Sequence, residues 1–181
     1  PPSSQIFTAE EFFSLPQGSD CELIEGRIVP RNRGAHHDFV AAGVARQLYE
    51  WDGRGAGLIF GAFAGYQCFP ESPNRVIRPD ASYIGPAKVP GGVMPESWMR
   101  VPPDLAVEVL SPVDRSMQVG QRVLDYLQVG VQLVWIVDPT LQEVRIYRPA
   151  GPREILCGEQ ELRDEAVLTG FACRESELFN E

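Results

Sequence analysis

Two acidic residues stand in surroundings where a carboxylate is unusual and could do chemistry. Glu108 lies within 105–110, a run that is otherwise apolar, and Asp80 stands near the start of another predicted strand. Side chains alternate between the two faces of a strand, so Glu108 shares its face with Ala106 and Leu110. A carboxylate in such company loses hydration and needs a cation, a metal ion or a proton. Two such carboxylates on neighbouring strands could hold a hard divalent ion; the simpler alternative is that each pairs with an arginine.

Cationic residues are concentrated in one segment of a chain that is acidic overall. The formal net charge is −9, from 16 Lys and Arg against 25 Asp and Glu. This balance counts against broad non-specific nucleic-acid binding, which relies on a basic surface. Residues 26–37 nevertheless contain Arg27, Arg31 and Arg33 without any acid, and they end on a histidine pair. The segment is either a local basic patch or a solvated loop.

The elements that must position these residues follow from hydrophobic periodicity and from capping and turn signals. The predicted elements are a helix over 8–15, a strand pair over 21–30, a helix over 37–51, strands over 57–69, 76–84 and 104–110, a helix over 114–129, and strands over 133–137, 143–148 and 153–157. Residues 85–103 hold five prolines and three glycines, which is typical of a long irregular loop. Because helices separate groups of strands, the pattern predicts a mixed-sheet α/β or α+β domain.

Length and composition limit the class of protein. A chain of 181 residues predicts a single domain over 1–181, with a small β-rich tail from about 150. No stretch is apolar for about 18 residues, which excludes a membrane-spanning helix, and the first residues lack the features of a signal peptide. Four cysteines without a Cys-x-x-Cys pair are typical of reduced thiols, so we expect a cytoplasmic protein. The predicted edge strands at 143–148 and 153–157 favour a homodimer.

The two carboxylates belong to an ordered set of segments that resembles a known family. The segments are Glu22-Leu-Ile-Glu25-Gly26, His37, Pro79-Asp80, Pro103-Asp104-Leu-Ala-Val-Glu108-Val-Leu-Ser111-Pro112, Tyr126, Gly130-Val131 and Val134-Trp135-Ile-Val-Asp138-Pro139. Between about residues 6 and 150 the chain is similar to the Uma-two family of endonucleases, in the PD-(D/E)XK restriction-endonuclease-like superfamily. The resemblance implies a mixed β-sheet flanked by helices and Mg²⁺- or Mn²⁺-dependent hydrolysis of phosphodiester bonds in nucleic acid, with DNA as the expected substrate.

The resemblance also implies roles for individual residues. Asp80 and Glu108 would be catalytic metal ligands, with the backbone carbonyl of Val109 as a further ligand. Glu22 would be an additional metal-binding carboxylate; the alternative is an exposed acid on a strand. His37 would contact a phosphate or the metal; the alternative is a histidine that caps a helix.

The helix after Glu108 carries the departure from the family pattern. In the family pattern, the lysine of the PD-(D/E)XK motif lies on the helix after the glutamate, four residues before the tyrosine. This chain has Arg122 at that position, one turn before Tyr126. Both would be catalytic, although an arginine stabilises charge on a phosphate and cannot deprotonate to activate water. Gln118, one turn earlier, and Arg33 of the basic segment would bind the substrate.

Two further hypotheses stay open at this stage. One is a catalytically impaired module of the same fold that binds nucleic acid or a protein partner, with Arg122 marking the loss of the reaction. The other is a metal-dependent hydrolase of a small phosphorylated molecule. All the enzymatic hypotheses require Asp80 and Glu108 to converge, and carboxylates on opposite faces of the sheet would contradict them.

Overall fold

The fold was analysed in a computed structural model that describes residues 5–16, 20–51, 57–112, 114 and 116–179. The helices are α1 (Ala9–Phe13), α2 (Ala35–Trp51) and α3 (Ser116–Gln128), and the strands are β1 (Cys21–Ile24), β2 (Arg27–Pro30), β3 (Leu58–Gly61), β4 (Ala81–Ile84), β5 (Leu105–Val109), β6 (Leu133–Asp138), β7 (Glu143–Tyr147), β8 (Glu154–Cys157), β9 (Glu161–Asp164) and β10 (Leu168–Arg174). Short 3₁₀ turns occupy Pro90–Gly92 and Glu175–Leu178. No helix in these ranges is long and apolar enough to cross a membrane.

A six-stranded sheet with the order β3-β4-β5-β6-β7-β8 forms the centre of the molecule. Strands β5 and β6 are parallel and are connected by α3, whereas every other neighbouring pair is antiparallel. The predicted mixed sheet is therefore confirmed. The prediction that residues 143–148 form an edge strand is wrong, because β7 pairs with β6 on one side and β8 on the other. Only β8 of these two lies at an edge.

Helix α2 and the antiparallel hairpin β9–β10 cover one face of the sheet. The apolar face of α2 packs there, with Val40, Val44 and Leu48 fully buried and Trp51 partly buried. Phe171 of β10 packs into the same core, so the β-rich C-terminal tail is an integral part of this layer. Its ring lies 5.6 Å from the ring of Trp135 on β6.

Helix α3 covers the opposite face and packs its buried side chains against β5 and β6. Leu105, Val107 and Val109 of β5 point towards α2, while Ala106 points towards α3. Glu108 shares the face of Ala106, because strand side chains alternate. The strand thus directs its one mid-strand acid towards the helix that carries the predicted arginine.

Two predicted strands are shorter in the structure than in the sequence pattern. β3 ends at Gly61, where the chain turns. In the rest of the predicted strand over 57–69, only Tyr66 forms isolated β-bridges, to Ile77 and to Met99. β4 begins at Ala81, since Pro79 has no backbone N–H to continue a ladder from Ile77. Asp80 consequently lies immediately before β4 rather than inside a strand.

The contact between α2 and the C-terminal 3₁₀ turn provides a test of the packing. A Cβ at Gly43 of α2 would stand 2.8 Å from the carbonyl oxygen of Leu178, whereas a Cβ at Gly120 of α3 would meet nothing within 4 Å. We expect Gly43→Ala to lower the free energy of unfolding by about 1–3 kcal/mol, because overpacking against backbone outweighs the gain in helix propensity. Gly120→Ala should raise it by about 0.5–1 kcal/mol.

Urea denaturation of the two variants and the wild type measures both effects. Equal stabilisation by the two alanines would show that α2 and the turn do not approach each other as closely as described.

Candidate active site

The start of β4 and the end of β5 bring the two predicted catalytic carboxylates to one end of the sheet. Ala81 pairs with Val107 in the antiparallel ladder. The backbone N–H of Asp80 donates to the Val107 carbonyl at 2.8 Å, and the Val109 N–H donates to Asp80 Oδ2 at 2.8 Å. Asp80 and Glu108 line the same pocket, so the two carboxylates do not face opposite sides of the sheet.

Glu22 reaches this pocket from the β1–β2 hairpin. Leu23, the next residue, bonds through its backbone to Val76, which fixes the hairpin beside the segment that leads into β4. The backbone N–H of Arg78 donates to Glu22 Oε1 at 2.6 Å, and Glu22 is 5% exposed. The alternative of an exposed strand acid is therefore wrong for Glu22.

The Asp80 carboxylate is held by two cationic side chains. Arg31, just after β2, places its Nη2 2.5 Å from Oδ1, and its Nη1 donates to the carbonyl of Ala62 at 2.7 Å. His37, in the first turn of α2, places its Nε2 3.2 Å from Oδ2. Asp80 itself is 3% exposed. Its negative charge is thus neutralised inside the protein by residues from two different elements.

Arg122 lies between the other two carboxylates. Its Nη1 donates to Glu22 Oε2 at 2.8 Å and its Nη2 donates to Glu22 Oε1 at 2.5 Å. Its Nε stands 2.7 Å from Glu108 Oε1, an ion pair without hydrogen-bond geometry. The hydroxyl of Tyr126 donates to the same Glu108 oxygen. From the sequence, pairing of each carboxylate with an arginine is the simpler alternative to a metal site. The structure shows such pairs, because Asp80 pairs with Arg31 and Glu108 with Arg122.

His37 bridges two acids rather than capping α2, which begins two residues earlier at Ala35. While its Nε2 faces Asp80, its Nδ1 lies 3.1 Å from Asp38 Oδ1. Burial alone would lower the pKa of His37, but the hydrogen bonds and charges of Asp80 and Asp38 outweigh burial and raise it. Arg33 donates to Asp38 at 2.8 Å and lines the pocket.

The pKa of Glu108 is raised to about 7. Burial in an apolar environment is the main cause, and the negative charges of Asp80 and Glu22 add to it. The charge of Arg122 and the hydrogen bond from Tyr126 act in the opposite direction. Glu108 can therefore gain or lose a proton near neutral pH.

The other two carboxylates are held ionised. Burial would raise the pKa of Asp80, but the hydrogen bond from His37 and the charges of Arg31 and His37 lower it on balance. In the same way, burial would raise the pKa of Glu22, and the charge and hydrogen bonds of Arg122 lower it. The pocket therefore combines two fixed negative charges with one acid that titrates.

The pocket is an open cleft of about 380 Å³, bounded by the β1–β2 hairpin, the start of α2 and one side of α3. Every residue predicted to act in catalysis, metal binding or substrate binding, except Tyr126, lines it: Glu22, Arg33, His37, Asp80, Glu108, Val109, Gln118 and Arg122. Tyr126 lies behind Glu108 and contacts it, at 1% exposure. Two helices, α2 and α3, and segments at β1, β4 and β5 thus bring the predicted set together around one cleft.

Sequence reasoning missed several residues of the cleft. Arg31 stood out only as part of the basic segment, although it is the main partner of Asp80. Arg75 and Asp125 form an ion pair on the cleft wall, and Gln121 donates to Asp125 at 2.9 Å. The ion pair joins positions 50 residues apart, so no local pattern could have indicated it. For Arg31 a signal was present in the sequence, because residues 26–37 contain three arginines and no acidic residue to pair with them.

The carboxylates offer the kind of ligand that Mg²⁺ and Mn²⁺ prefer, since hard divalent ions bind oxygen. Glu22, Asp80 and Glu108 could supply it from three sides of the cleft. Within the described ranges, however, no three acidic, histidine or cysteine side chains are arranged to hold an ion as they stand. Arg122 lies between Glu22 and Glu108 and occupies their oxygens. The donor chemistry fits such an ion, provided that Arg122 moves away from at least one carboxylate.

Comparisons with known proteins identify the fold and the family of the chain. A crystal structure from Anabaena variabilis ATCC 29413, described as "a putative nuclease belonging to DUF820", has a TM-score of 0.79 and 22% identity, and the match covers 96% of this chain and 97% of that one. At this identity the likeness shows the fold. No curated protein matches the chain significantly. The model of the Uma2 family, described as "Putative restriction endonuclease", matches residues 9–176. The chain belongs to the Uma2 family, as its ordered segments indicated.

Proposed function

We propose that the protein is an endonuclease that hydrolyses phosphodiester bonds in nucleic acid, with DNA as the expected substrate and Mg²⁺ or Mn²⁺ as the cofactor. The observation that carries this proposal is the meeting of three carboxylates, Glu22, Asp80 and Glu108, in one open cleft. Buried acids that serve stability alone have no need to face a cleft together with guanidinium groups. Membership of a family described as restriction endonucleases supports the same activity.

Each residue of the cleft has a defined part in this proposal. Asp80, Glu108, Glu22 and the backbone carbonyl of Val109 would hold the divalent ion, which when bound lowers the pKa of water and offsets charge on the phosphate. Arg122 would turn its guanidinium from the carboxylates to the phosphate oxygens, for which its planar fork is suited.

The remaining residues would orient the carboxylates and contact the substrate. Tyr126 would keep Glu108 Oε1 oriented through its hydroxyl hydrogen bond. His37 would orient Asp80 through its Nε2. Gln118 and Arg33, at the cleft wall, would contact the substrate.

One observation favours the second candidate, a catalytically impaired module of the same fold. The three carboxylates already contact side chains of the chain itself, namely Arg31, His37 and Arg122. The chain thereby satisfies their charges with its own residues, which is the arrangement that a non-catalytic descendant would keep. Cleavage assays separate the two candidates, because only the nuclease loses an activity when these residues are changed.

The first functional prediction concerns the two central carboxylates. Asp80→Asn and Glu108→Gln should each lower Mn²⁺-dependent cleavage of DNA by at least about a hundredfold, since each removes a charged ligand of the proposed divalent ion. Asp138→Asn is the matched control, because Asp138 is a 9% exposed acid at the end of the neighbouring strand β6 and does not line the cleft. It should retain activity.

Loss of activity in all three variants would indicate general damage to the fold, and retained activity in Asp80→Asn or Glu108→Gln would contradict the proposed roles. Circular dichroism melting checks folding. We expect Asp80→Asn to melt at a lower temperature than the wild type, because it leaves the charges of Arg31 and His37 without their buried partner.

The second prediction concerns Arg122. Arg122→Lys should retain or raise cleavage, because it restores the cation that the family pattern has at this position, whereas Arg122→Ala should lower cleavage sharply. Arg122→Ala should also cost up to about 3–5 kcal/mol of stability, since it leaves Glu22 and Glu108 unpaired. The loss of stability is expected for the nuclease and for the impaired module alike, so the cleavage rate decides between them.

Cleavage and thermal unfolding of both variants should be measured with Mn²⁺ and with EDTA. If the wild type cuts DNA, and Arg122→Ala has the same cleavage rate and the same melting temperature as the wild type, this arginine is only a solvated helix residue.

The third prediction concerns assembly, since we also propose a homodimer. Strand β8 lies at an edge of the sheet, and Ile155 on it is 44% exposed. Exposed apolar edge strands tend to pair with another chain. Light scattering at micromolar concentration should give twice the 20.1 kDa chain mass, and Ile155→Lys should shift the mass towards the monomer. A monomer mass for the wild type would exclude the dimer.

A further inference from the structure

A second pocket, which we call the aromatic pocket, lies next to the candidate active site. It encloses about 500 Å³, within the range of about 300–1,000 Å³ that is usual for small-molecule sites. Aromatic rings and one guanidinium dominate its walls: Phe13, Tyr49, Phe60, Phe63, Arg78 and Trp98. The nuclease chemistry of the cleft uses none of these rings.

Three of these rings are exposed to an extent that folding alone does not explain. Phe63 is 67% exposed, Tyr49 56% and Phe13 49%. Beneath them Trp98 is buried, with its ring edge-on to Phe13 at 5.0 Å and stacked on Phe12 at 5.5 Å. Exposed apolar residues that share one concave patch are typical of a binding surface.

The turn after β3, which carries Phe63, separates the aromatic pocket from the active-site cleft. Arg31, the partner of Asp80, donates to the carbonyl of Ala62 at 2.7 Å. Arg78, whose N–H binds Glu22, donates to the carbonyl of Phe63 through its guanidinium. The turn is therefore fixed by side chains that also touch the catalytic carboxylates or their partners.

Phe63 lies close to a residue of the cleft. It lines the aromatic pocket, and the guanidinium of Arg33 lies 5.7 Å from its ring centroid. Arg33 lines the active-site cleft. A strand whose phosphate enters the cleft would therefore have a neighbouring nucleotide beside this ring. The contact between Arg33 and Phe63 thus joins a wall of the cleft to a wall of the aromatic pocket.

We propose that the aromatic pocket binds an unstacked nucleobase of the strand whose phosphate lies in the active-site cleft. The proposal rests on the proposed nuclease function and specifies its substrate class: single-stranded nucleic acid, or a duplex with an unpaired base. Bases inside an intact duplex are stacked on one another and cannot reach such a pocket. The net charge of −9 counts against broad binding along a duplex backbone, and base stacking on aromatic rings adds to phosphate contacts in proteins that bind single strands.

The binding test uses two fluorescein-labelled single strands of equal length and equal phosphate number. One is a mixed-sequence DNA oligonucleotide and the other is abasic at every position. In fluorescence anisotropy with Ca²⁺ in place of Mn²⁺, to avoid cleavage, we expect the wild type to bind the strand with bases about tenfold more tightly. Phe63→Ala and Phe63→Leu should both abolish this preference, because leucine keeps an apolar contact but has no ring.

Phe39→Ala provides the matched control. Phe39 is 42% exposed on α2 and lines neither pocket, so the variant should keep the preference. Equal binding of the two strands by the wild type would overturn the base pocket and leave the nuclease proposal intact. No binding of either strand would contradict both. A change of molecular mass in Phe63→Ala by light scattering would show that the pocket joins two copies of the chain, and would also overturn the proposal.

Discussion

The arrangement of the cleft depends on one buried carboxylate, Asp80. A charge that is 3% exposed is tolerable only if hydrogen bonds and opposite charges replace its lost hydration. Asp80 obtains them from the backbone of Val109, from Arg31 and from His37. These partners belong to the end of β5, the chain after β2 and the first turn of α2. Satisfying one charge therefore joins three separate parts of the fold at the same point.

The same requirement explains why the cleft contains so many arginines. Burial is the main cause that raises the pKa of Glu108 to about 7, and the negative charges of Asp80 and Glu22 add to it. Arg122 offsets these effects by contacting Glu22 and Glu108 together. An ion pair of this kind stabilises the fold chiefly by avoiding unpaired charge, and it leaves carboxylate oxygens near the surface of a cleft. The proposed activity requires Arg122 to exchange this partner for a phosphate.

Much of the fold and of the site could be predicted from the sequence because the signals are local. Strand alternation separated Glu108 from the face of Leu105, Val107 and Val109, and the structure shows α3 on the face of Glu108. The family resemblance indicated Arg122 and Tyr126 as residues of the same site, and both contact Glu108. The ordered segments indicated the family, which the match over residues 9–176 confirmed.

The rest could not be predicted because it depends on contacts between distant segments. Arg31 meets Asp80 across 49 positions and Arg122 meets Glu22 across 100. The early end of β3 also escaped prediction, since an uninterrupted apolar stretch does not mark the turn that exposes Phe63. The aromatic pocket assembles from α1, α2, β3 and the loop before β5, and no single pattern spans those elements.

A crystal structure of the protein grown with Mn²⁺, with anomalous scattering recorded for the metal, tests the central claim most directly. The account predicts one strong anomalous peak in the cleft, in contact with Asp80 and Glu108, with the Arg122 guanidinium moved away from at least one of the carboxylates that it now holds. A cleft without a peak at millimolar Mn²⁺, with Arg122 still bound to both Glu22 and Glu108, would contradict a metal-dependent nuclease.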